Sequence, residues 1–275
     1  MTRAEPVPVL APEVMRFYAT TVNEADRLTT TADGRLELLR TQELLRRYLP
    51  PAPARILDVG GGPGIHARWL AENGYQVHLV DPVPRHVEQA GRVSGCTAEL
   101  GDARQLAVGD SSCDVVLLLG PLYHLIEAED RRQALREARR VLCPGGLLAA
   151  AGISCYASLF EHAAFSHLHT PAMRESVTRV LETKIHDGKR AFTQAYFHSG
   201  QELHAEVTRA GFTGAHVFGV EGPAWAMLAA TERHTGVSVV DTPLFESALA
   251  AAQMAEPFPE LLAASSHMLA VAHRG

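Results

Sequence analysis

An α/β fold with a mostly parallel sheet and helices on both of its faces is what this sequence predicts, on three observations. Short apolar runs alternate with segments of helical periodicity from Arg55 to Ala151. The connections between runs are long enough to hold a crossover helix. The first run leads straight into a glycine-rich turn, which lets a following helix start against the strand end.

Taken in order, residues 1–11 read as a loose tail. The stretch Glu13 to Tyr48 reads as helical, with Leu36, Leu39, Leu44, Leu45 and Tyr48 near helical spacing and Asp33-Gly34 marking a turn before that helix. Pro50-Pro51-Ala52-Pro53 breaks it. Arg55–Val59 is a first strand and Ile65–Asn73 a helix closed by Gly74. Gln76–Val80 is a second strand ending at Asp81. Residues 84–94 read as helix, 97–100 as a short strand, Asp114–Leu119 as a fourth strand and Asp130–Leu142 as a helix. Pro144-Gly145-Gly146 is a turn before a fifth strand, Leu147–Ala151. Beyond Ile153 the alternation fails. Residues 154–190 read as mostly helical, His204–Ala210 as helix and 221–262 as mainly helical. Gly214–Val220 and His267–Ala272 read as strands, the last suited to a reversed strand in the sheet.

Composition narrows the function. The chain has 275 residues, 47% hydrophobic and 20% charged, with a net charge of −6 and no Lys/Arg block. A phosphate backbone would be repelled by such a surface, so no nucleic-acid partner is expected. No apolar run reaches the roughly 18–20 residues of a membrane span, and Met1–Leu10 lacks the features of a secretory signal. A cytoplasmic protein without membrane association is expected, as a monomer or homodimer. Cys96, Cys113, Cys143 and Cys155 show no C-x-x-C spacing and read as reduced thiols. His162, His167 and His169 lack a completing ligand, so no metal is expected.

The glycine turn carries the chemistry. Gly60, Gly61, Gly62 and Gly64 allow close approach of a ligand to backbone, and Asp81 at the tip of the second strand can accept both hydroxyls of a ribose. A dinucleotide site needs G-x-G-x-x-G, yet counting from Gly60 puts Ile65 at the sixth place and counting from Gly62 puts Ala67 there. Asp58 would meet a pyrophosphate unfavourably but pairs well with an ammonium group.

Ile56-Leu-Asp-Val-Gly-Gly-Gly-Pro-Gly64 resembles motif I of the class I S-adenosylmethionine (SAM) dependent methyltransferases. Asp81 then resembles that family's ribose-binding acid, Gly101-Asp102-Ala103 its adenine-contacting segment, and Asp114–Leu119 its motif IV strand. Arg140–Gly146 is similar to the turn before its fifth strand, so the resemblance covers roughly residues 54–152. It implies a Rossmann-like class I methyltransferase fold with a seven-stranded sheet, SAM as cofactor and S-adenosyl-L-homocysteine (SAH) as product. Asp58, Gly60, Gly61, Gly62, Gly64, Asp81, Pro82, Asp102, Ala103, Leu119, Gly120 and Pro121 are the implied cofactor contacts.

Methyl transfer needs a positioned nucleophile and, for some acceptors, a base. Gly120-Pro121-Leu122-Tyr123-His124-Leu125 resembles a segment of a bacterial small-molecule subgroup of that family. It implies Tyr123 beside the cofactor and His124 as a general base, or as a residue lining the substrate pocket. No N-P-P-Y-like motif follows the fourth strand, unlike many members that methylate nucleic-acid or protein amide nitrogens. Phe17-Tyr18 through Leu28 resembles the subgroup's lid, with Tyr18 at the sulfonium or substrate and Arg27 on the methionine carboxylate or an internal acid; an amphipathic helix with Arg27 paired to Glu24 or Glu37 is the alternative reading. Tyr156, Tyr196, His198, Glu221 and Trp225 are candidate substrate contacts. The expected organisation is a helical lid at 1–50, a core at 51–153, a helical cap at 154–200 and a C-terminal part at 201–275 with a helical insertion at 221–262. Transfer of a methyl group to oxygen or nitrogen of a small metabolite, in a bacterium and as part of secondary metabolism, is the expected activity. An NAD(P)-dependent oxidoreductase and a non-catalytic SAM-binding protein are the alternatives.

Overall fold

The computed structural model describes Val14, Tyr18, residues 24–188 and residues 192–275. The expected N-terminal tail, and Phe17 and Asn23 of the expected lid, lie outside the described residues. The strands are β1 (Arg55–Val59), β2 (Gln76–Asp81), β3 (Cys96–Leu100), β4 (Cys113–Leu118), β5 (Leu142–Ser154), β6 (Ile185–Asp187), β7 (Gln194–His198), β8 (Phe212–Gly219) and β9 (His267–Arg274). β1 to β5 pair in parallel in the order β3-β2-β1-β4-β5. β9 runs antiparallel between β5 and β8, as its sequence suggested. This is the expected seven-stranded sheet.

To it the chain adds the antiparallel hairpin β6–β7, giving nine strands. Ile153 pairs with His267 of β9 on one edge and Phe197 of β7 on the other. β7 therefore continues the edge of β5 that β4 leaves at Ala150. The mostly helical reading of 154–190 holds through Thr183, but the helical cap expected over 154–200 ends in the β6–β7 hairpin. Helix ends at Lys184, which takes a positive φ of 60°, and the alternate burial of Ala195 and Phe197 then makes a strand rather than a helical face. The expected cap thus contributes a strand to the core sheet.

Strand alternation builds two cores. Ile56, Val115, Leu117, Leu147, Ala149 and Leu269 face the helices α2 (Ala32–Arg46), which follows α1 (Glu24–Thr30), and α3 (Ile65–Glu72). Their sequence neighbours Leu57, Val116, Leu118, Leu148, Ala150 and Ala270 face the opposite layer. That layer holds α6 (Ala128–Val141) and α9 (Gly200–Arg209); between α3 and α9 the chain also forms α4 (Pro84–Ala90), α5 (Pro121–His124), α7 (Ala157–Ala164) and α8 (Pro171–Thr183). A one-residue slip would exchange the faces, so the pattern fixes the register. A third core joins α2, the β6–β7 hairpin, α7, α8, α10 (Trp225–Thr235) and α11 (Pro243–Ala255) above the sheet edge.

Two local readings change. Asp33-Gly34 is not a turn before the helix; Thr31 caps α2 and both residues lie in its first turn. Gly34 is required there because a Cβ would stand 2.3 Å from the Arg27 carbonyl oxygen. The helix expected at His204 starts at Gly200, because Ser199 and Glu202 form a reciprocal capping box. All four cysteines are free. No helix among the described residues is long and apolar enough to cross a membrane.

Candidate active site

The parallel strands deliver their C-terminal ends to one edge, and a pocket of about 1220 Å³, partly open to solvent, runs along it. Gly60 and Gly62 have positive φ, as does Gly64 at the start of α3. The Gly60 N–H donates to the Val80 carbonyl at 2.6 Å, tying the turn to β2. At Gly60 a Cβ would meet the Pro121 ring at 2.8 Å, and at Gly61 the Asp58 carboxylate at 2.5 Å. The turn is thus packed between the loop after β4 and an acid of β1.

Asp58 is 1% exposed, lines the pocket, and neither carboxylate oxygen has a hydrogen-bond partner among the described residues. Burial, with the charge of Asp81 added, raises its pKa to about 7. Asp81, by contrast, is well bonded. Its Oδ2 accepts from the Gly62 N–H at 2.9 Å, and its Oδ1 from the Val83 N–H at 2.9 Å and pairs with His86 Nδ1 at 3.1 Å. The Asp102 carboxylate is held by Arg104, which donates through backbone N–H, Nε and Nη2 at 2.8–2.9 Å. Gly101, Ala103, Pro82, Leu119, Gly120 and Pro121 line the same pocket.

On the far side of the glycine turn, the Tyr18 hydroxyl lies 2.9 Å from His124 Nε2, and Tyr123 packs against the imidazole edge-on. Tyr18, Tyr123 and His124 all line the pocket. Burial, reinforced by the Arg27 charge, depresses the His124 pKa to about 3. At neutral pH this imidazole is uncharged.

A second polar group stands further along the edge. Arg27 grips both oxygens of Glu37, at 2.7 and 3.0 Å. Glu37 Oε2 lies 3.7 Å from His267 Nδ1, which pairs at 2.5 Å with Glu221 Oε1. Arg27, Glu37 and His267 line the pocket together with His66 and Thr41. Burial opposes the charge of Glu37, but Arg27 and His267 hold its pKa down at about 2.

Of the expected substrate contacts, Tyr18, Arg27 and His124 meet in the pocket; Tyr156, Tyr196, His198, Glu221 and Trp225 are not among its lining residues. Four of these five are engaged elsewhere, and the fifth is exposed. Tyr156 is 41% exposed at the start of α7. Trp225 lies in the third core and donates its indole N–H to the Ala264 carbonyl at 3.0 Å. Tyr196 lies beneath the Arg131 guanidinium at 3.7 Å, and His198 is fully buried beside Glu206. Glu221 is buried and binds the backbone N–H and the ring of His267, which lines the pocket. Sequence reasoning missed Glu37, Thr41, His66, His86 and His267 as pocket residues. Only His86, five positions after Asp81 on α4, carried a usable signal.

Residues 57–150 match the model of a family described as "Methyltransferase domain". An uncharacterised methyltransferase of Mycobacterium bovis is 37% identical over 107 residues, which span 38% of this chain and 42% of that protein. The chain thus matches less than half the length of that relative. The O-methyltransferase resE of Aspergillus sclerotiorum is 30% identical over 190 residues, covering 61% of this chain and 71% of its own length. A crystal structure of a SAM-dependent methyltransferase from Thermotoga maritima superposes with a TM-score of 0.61 at 20% identity, covering 96% of this chain and 100% of that one. At that identity the likeness is one of fold. With the family's domain on β1 to β5 and its sequence likeness extending over most of an O-methyltransferase, this chain belongs to the class I SAM-dependent methyltransferases, whose cofactor is SAM.

Proposed function

We propose that this protein transfers the methyl group of SAM to an oxygen or nitrogen atom of a small metabolite, in a bacterial secondary pathway. The observation that carries the reading is Asp58, a buried carboxylate with no hydrogen-bond partner among the described residues, beside a turn where a Cβ at Gly60 or Gly61 would clash. A buried charge is costly unless paired. An ammonium group, such as that of the methionine moiety, is the partner that removes the cost, and a pyrophosphate would raise it. The residues therefore fit SAM. Asp58 would hold the ammonium, Asp81 the ribose and the Gly101–Ala103 segment the adenine. Pro82 and Leu119 would pack beside the nucleoside, and the backbone of Gly120 and Pro121 would border the methionine end. When bound, SAM supplies an electrophilic methyl group.

In this reading Tyr18, Tyr123 and His124 border the reacting centre. His124 is too weakly basic to serve as a general base near neutral pH, where a pKa close to the working pH is best. Its role is to accept the Tyr18 hydroxyl and fix that ring over the pocket. Proton removal then falls to the acceptor's own acidity or to solvent. The helical segment before β1 and the 154–198 region form the lid and cap.

Calorimetric titration with SAH and with NAD(P)H tests the cofactor half, and label transfer from methyl-labelled SAM to a metabolite panel tests the other half. Micromolar SAH affinity without nicotinamide binding is expected. Nicotinamide binding without SAH binding would sink the reading.

A further inference from the structure

We infer that the end of the pocket beyond β5 is a carboxylate-binding subsite, in which the Nε2–H of His267 receives an acidic group of the bound ligand. The inference rests on the methyl-transfer reading and specifies the ligand chemistry of the same pocket.

Position comes first. The pocket is lined from Asp102, after β3, to His267 and Leu269 on β9. Five inter-strand steps separate β3 from β9, roughly 24 Å of sheet edge. The acids assigned to SAM follow or lie on β1, β2 and β3, at one end. His267 opens β9 opposite Ile153, at the other.

The clamp on the ring decides what His267 can do. Glu221 Oε1 lies 2.5 Å from Nδ1, Glu221 Oε2 accepts the His267 backbone N–H at 2.8 Å, and Glu37 Oε2 stands 3.7 Å from the same Nδ1. Two carboxylates therefore address one nitrogen. Burial pulls the imidazole pKa down, and Glu37 and Glu221 more than reverse this, lifting it to about 9. The ring is an imidazolium at neutral pH, with both nitrogens protonated. No described residue hydrogen-bonds Nε2, and the side chain, 19% exposed, lines the pocket.

Its surroundings select the sign of the guest. Both oxygens of Glu37 are taken by Arg27, and both of Glu221 by His267. Among these four described side chains, a donor not engaged by a carboxylate is the Nε2–H of the His267 imidazolium. His66 adds a second, uncharged imidazole on the same wall, its pKa lowered to about 4 chiefly by burial, with Nδ1 buried and unpartnered. An ammonium guest would face the His267 N–H and the Arg27 guanidinium. A carboxylate satisfies the first and is attracted by the second.

Two sources can supply that carboxylate: the methionine moiety of the cofactor or the methyl acceptor. A divalent cation is the competing occupant, since ligand atoms of Glu37, Glu221 and His267 lie within 4.8 Å of one another. It would have to displace the Nδ1 proton and sit close to Arg27.

The test uses the full chain and His267→Asn, which keeps a donor toward Glu221 and removes the one aimed at the pocket. SAH binding to the wild type is measured first and reads on the methyl-transfer proposal alone. SAH-saturated wild type is then expected to bind benzoate at least about tenfold more tightly than benzamide, with the preference lost in His267→Asn. That result assigns the subsite to the acceptor. A fall of about tenfold in SAH affinity in His267→Asn, with 5′-methylthioadenosine unaffected, assigns it to the methionine carboxylate. Equal binding of benzoate and benzamide together with unchanged SAH affinity would overturn the inference. So would tight binding of Zn²⁺ or Mn²⁺ that is abolished in both His267→Asn and Glu221→Gln. Should His267→Asn not fold, the ¹⁵N resonance of His267 Nε2 in the wild type serves instead. It shifts with benzoate or SAH if the inference holds, and with neither if it does not.

Discussion

The hydroxyl of Tyr18 lies 2.9 Å from Nε2 of His124, joining a residue that precedes α1 to the end of α5. The contact runs between an aromatic O–H and an imidazole whose pKa burial lowers to about 3. Such a ring stays neutral across the physiological range. We expect the His124 Cε1–H resonance to show no titration between pH 5 and pH 8, whereas an exposed histidine changes with a midpoint near the ordinary 6.5. A midpoint for His124 above about 6 would restore it as a general base.

Asp58 carries a second prediction, in which stability and binding move in opposite directions. Its pKa of about 7 lies above the ordinary carboxyl value, because of burial and Asp81. The folded apoprotein therefore holds more protons than the unfolded chain between about pH 4 and pH 7. By linkage this group's contribution to stability falls as pH rises through that window. Asp58→Asn removes the ionisation, so at pH 8 the variant should melt at or above the wild-type temperature. Its SAH affinity should drop by about 1–3 kcal/mol, the range for a lost charge-assisted bond. SAH affinity in the wild type should also rise with pH through 7, as Asp58 ionises. Unchanged affinity in Asp58→Asn would separate this acid from the cofactor.

The glycine turn allows a matched comparison. An alanine at Gly61 would bring its Cβ within 2.5 Å of the Asp58 carboxylate and 2.6 Å of Leu79, whereas at Gly109 it meets nothing within 4 Å. Neither glycine has a positive φ, so the difference is one of space rather than backbone strain. Gly61→Ala should weaken SAH binding by about tenfold or more, and Gly109→Ala should leave it alone. Isothermal titration of both variants reads the contrast; equal affinities would mean that the turn yields to the added methyl group.

The sheet was legible because its information is local. Ile56-Leu57, Val115-Val116 and Leu147-Leu148 are apolar on both faces, as fully buried parallel strands must be, and the glycine run marks the tight turn after β1. Of the pocket acids, Asp81 followed from its position at a strand end, Asp58 from its place two residues before the glycine turn, and Asp102 from the family resemblance. What stayed hidden depends on distant partners. Gln194–His198 carries no strong strand propensity and is a strand because β5 outruns β4 and exposes an edge. Glu37, in the middle of a helix, looked like one more solvated acid. Its place in the pocket depends on Arg27 from the preceding helix and on His267 from the last strand. Tyr196, His198 and Trp225 are candidate recognition groups by residue type and by resemblance of their segments to the subgroup, and neither separates an aromatic ring in a cap from one in a core.

The Arg131–Glu206 pair shows what Tyr196 and His198 do instead. Arg131 is 2% exposed and donates Nη1 to the carbonyls of Leu125 and Ile126, at 2.9 and 2.7 Å, bracing the chain just past His124. Its Nε and Nη2 reach Glu206 at 2.9–3.1 Å, Tyr196 stacks beneath it, and His198 Nε2 lies 3.3 Å from the same Glu206. Burial pushes the Glu206 pKa up, but the hydrogen bonds from His198 and Arg131 bring it down to about 2. A depressed carboxyl contributes stability that is complete above its unfolded value near 4.5 and is lost as pH falls toward 2. The stability gap between wild type and Glu206→Gln, measured by urea denaturation, should therefore narrow as pH drops from 5 to 3. Arg131→Met should cost about 3–5 kcal/mol, since it strands a part-buried carboxylate and two carbonyls. Tyr196→Leu removes only the ring beneath the guanidinium and should cost about 1–2 kcal/mol, with SAH affinity unchanged. A tenfold loss of SAH affinity in Tyr196→Leu would move this residue from the brace back to the ligand pocket.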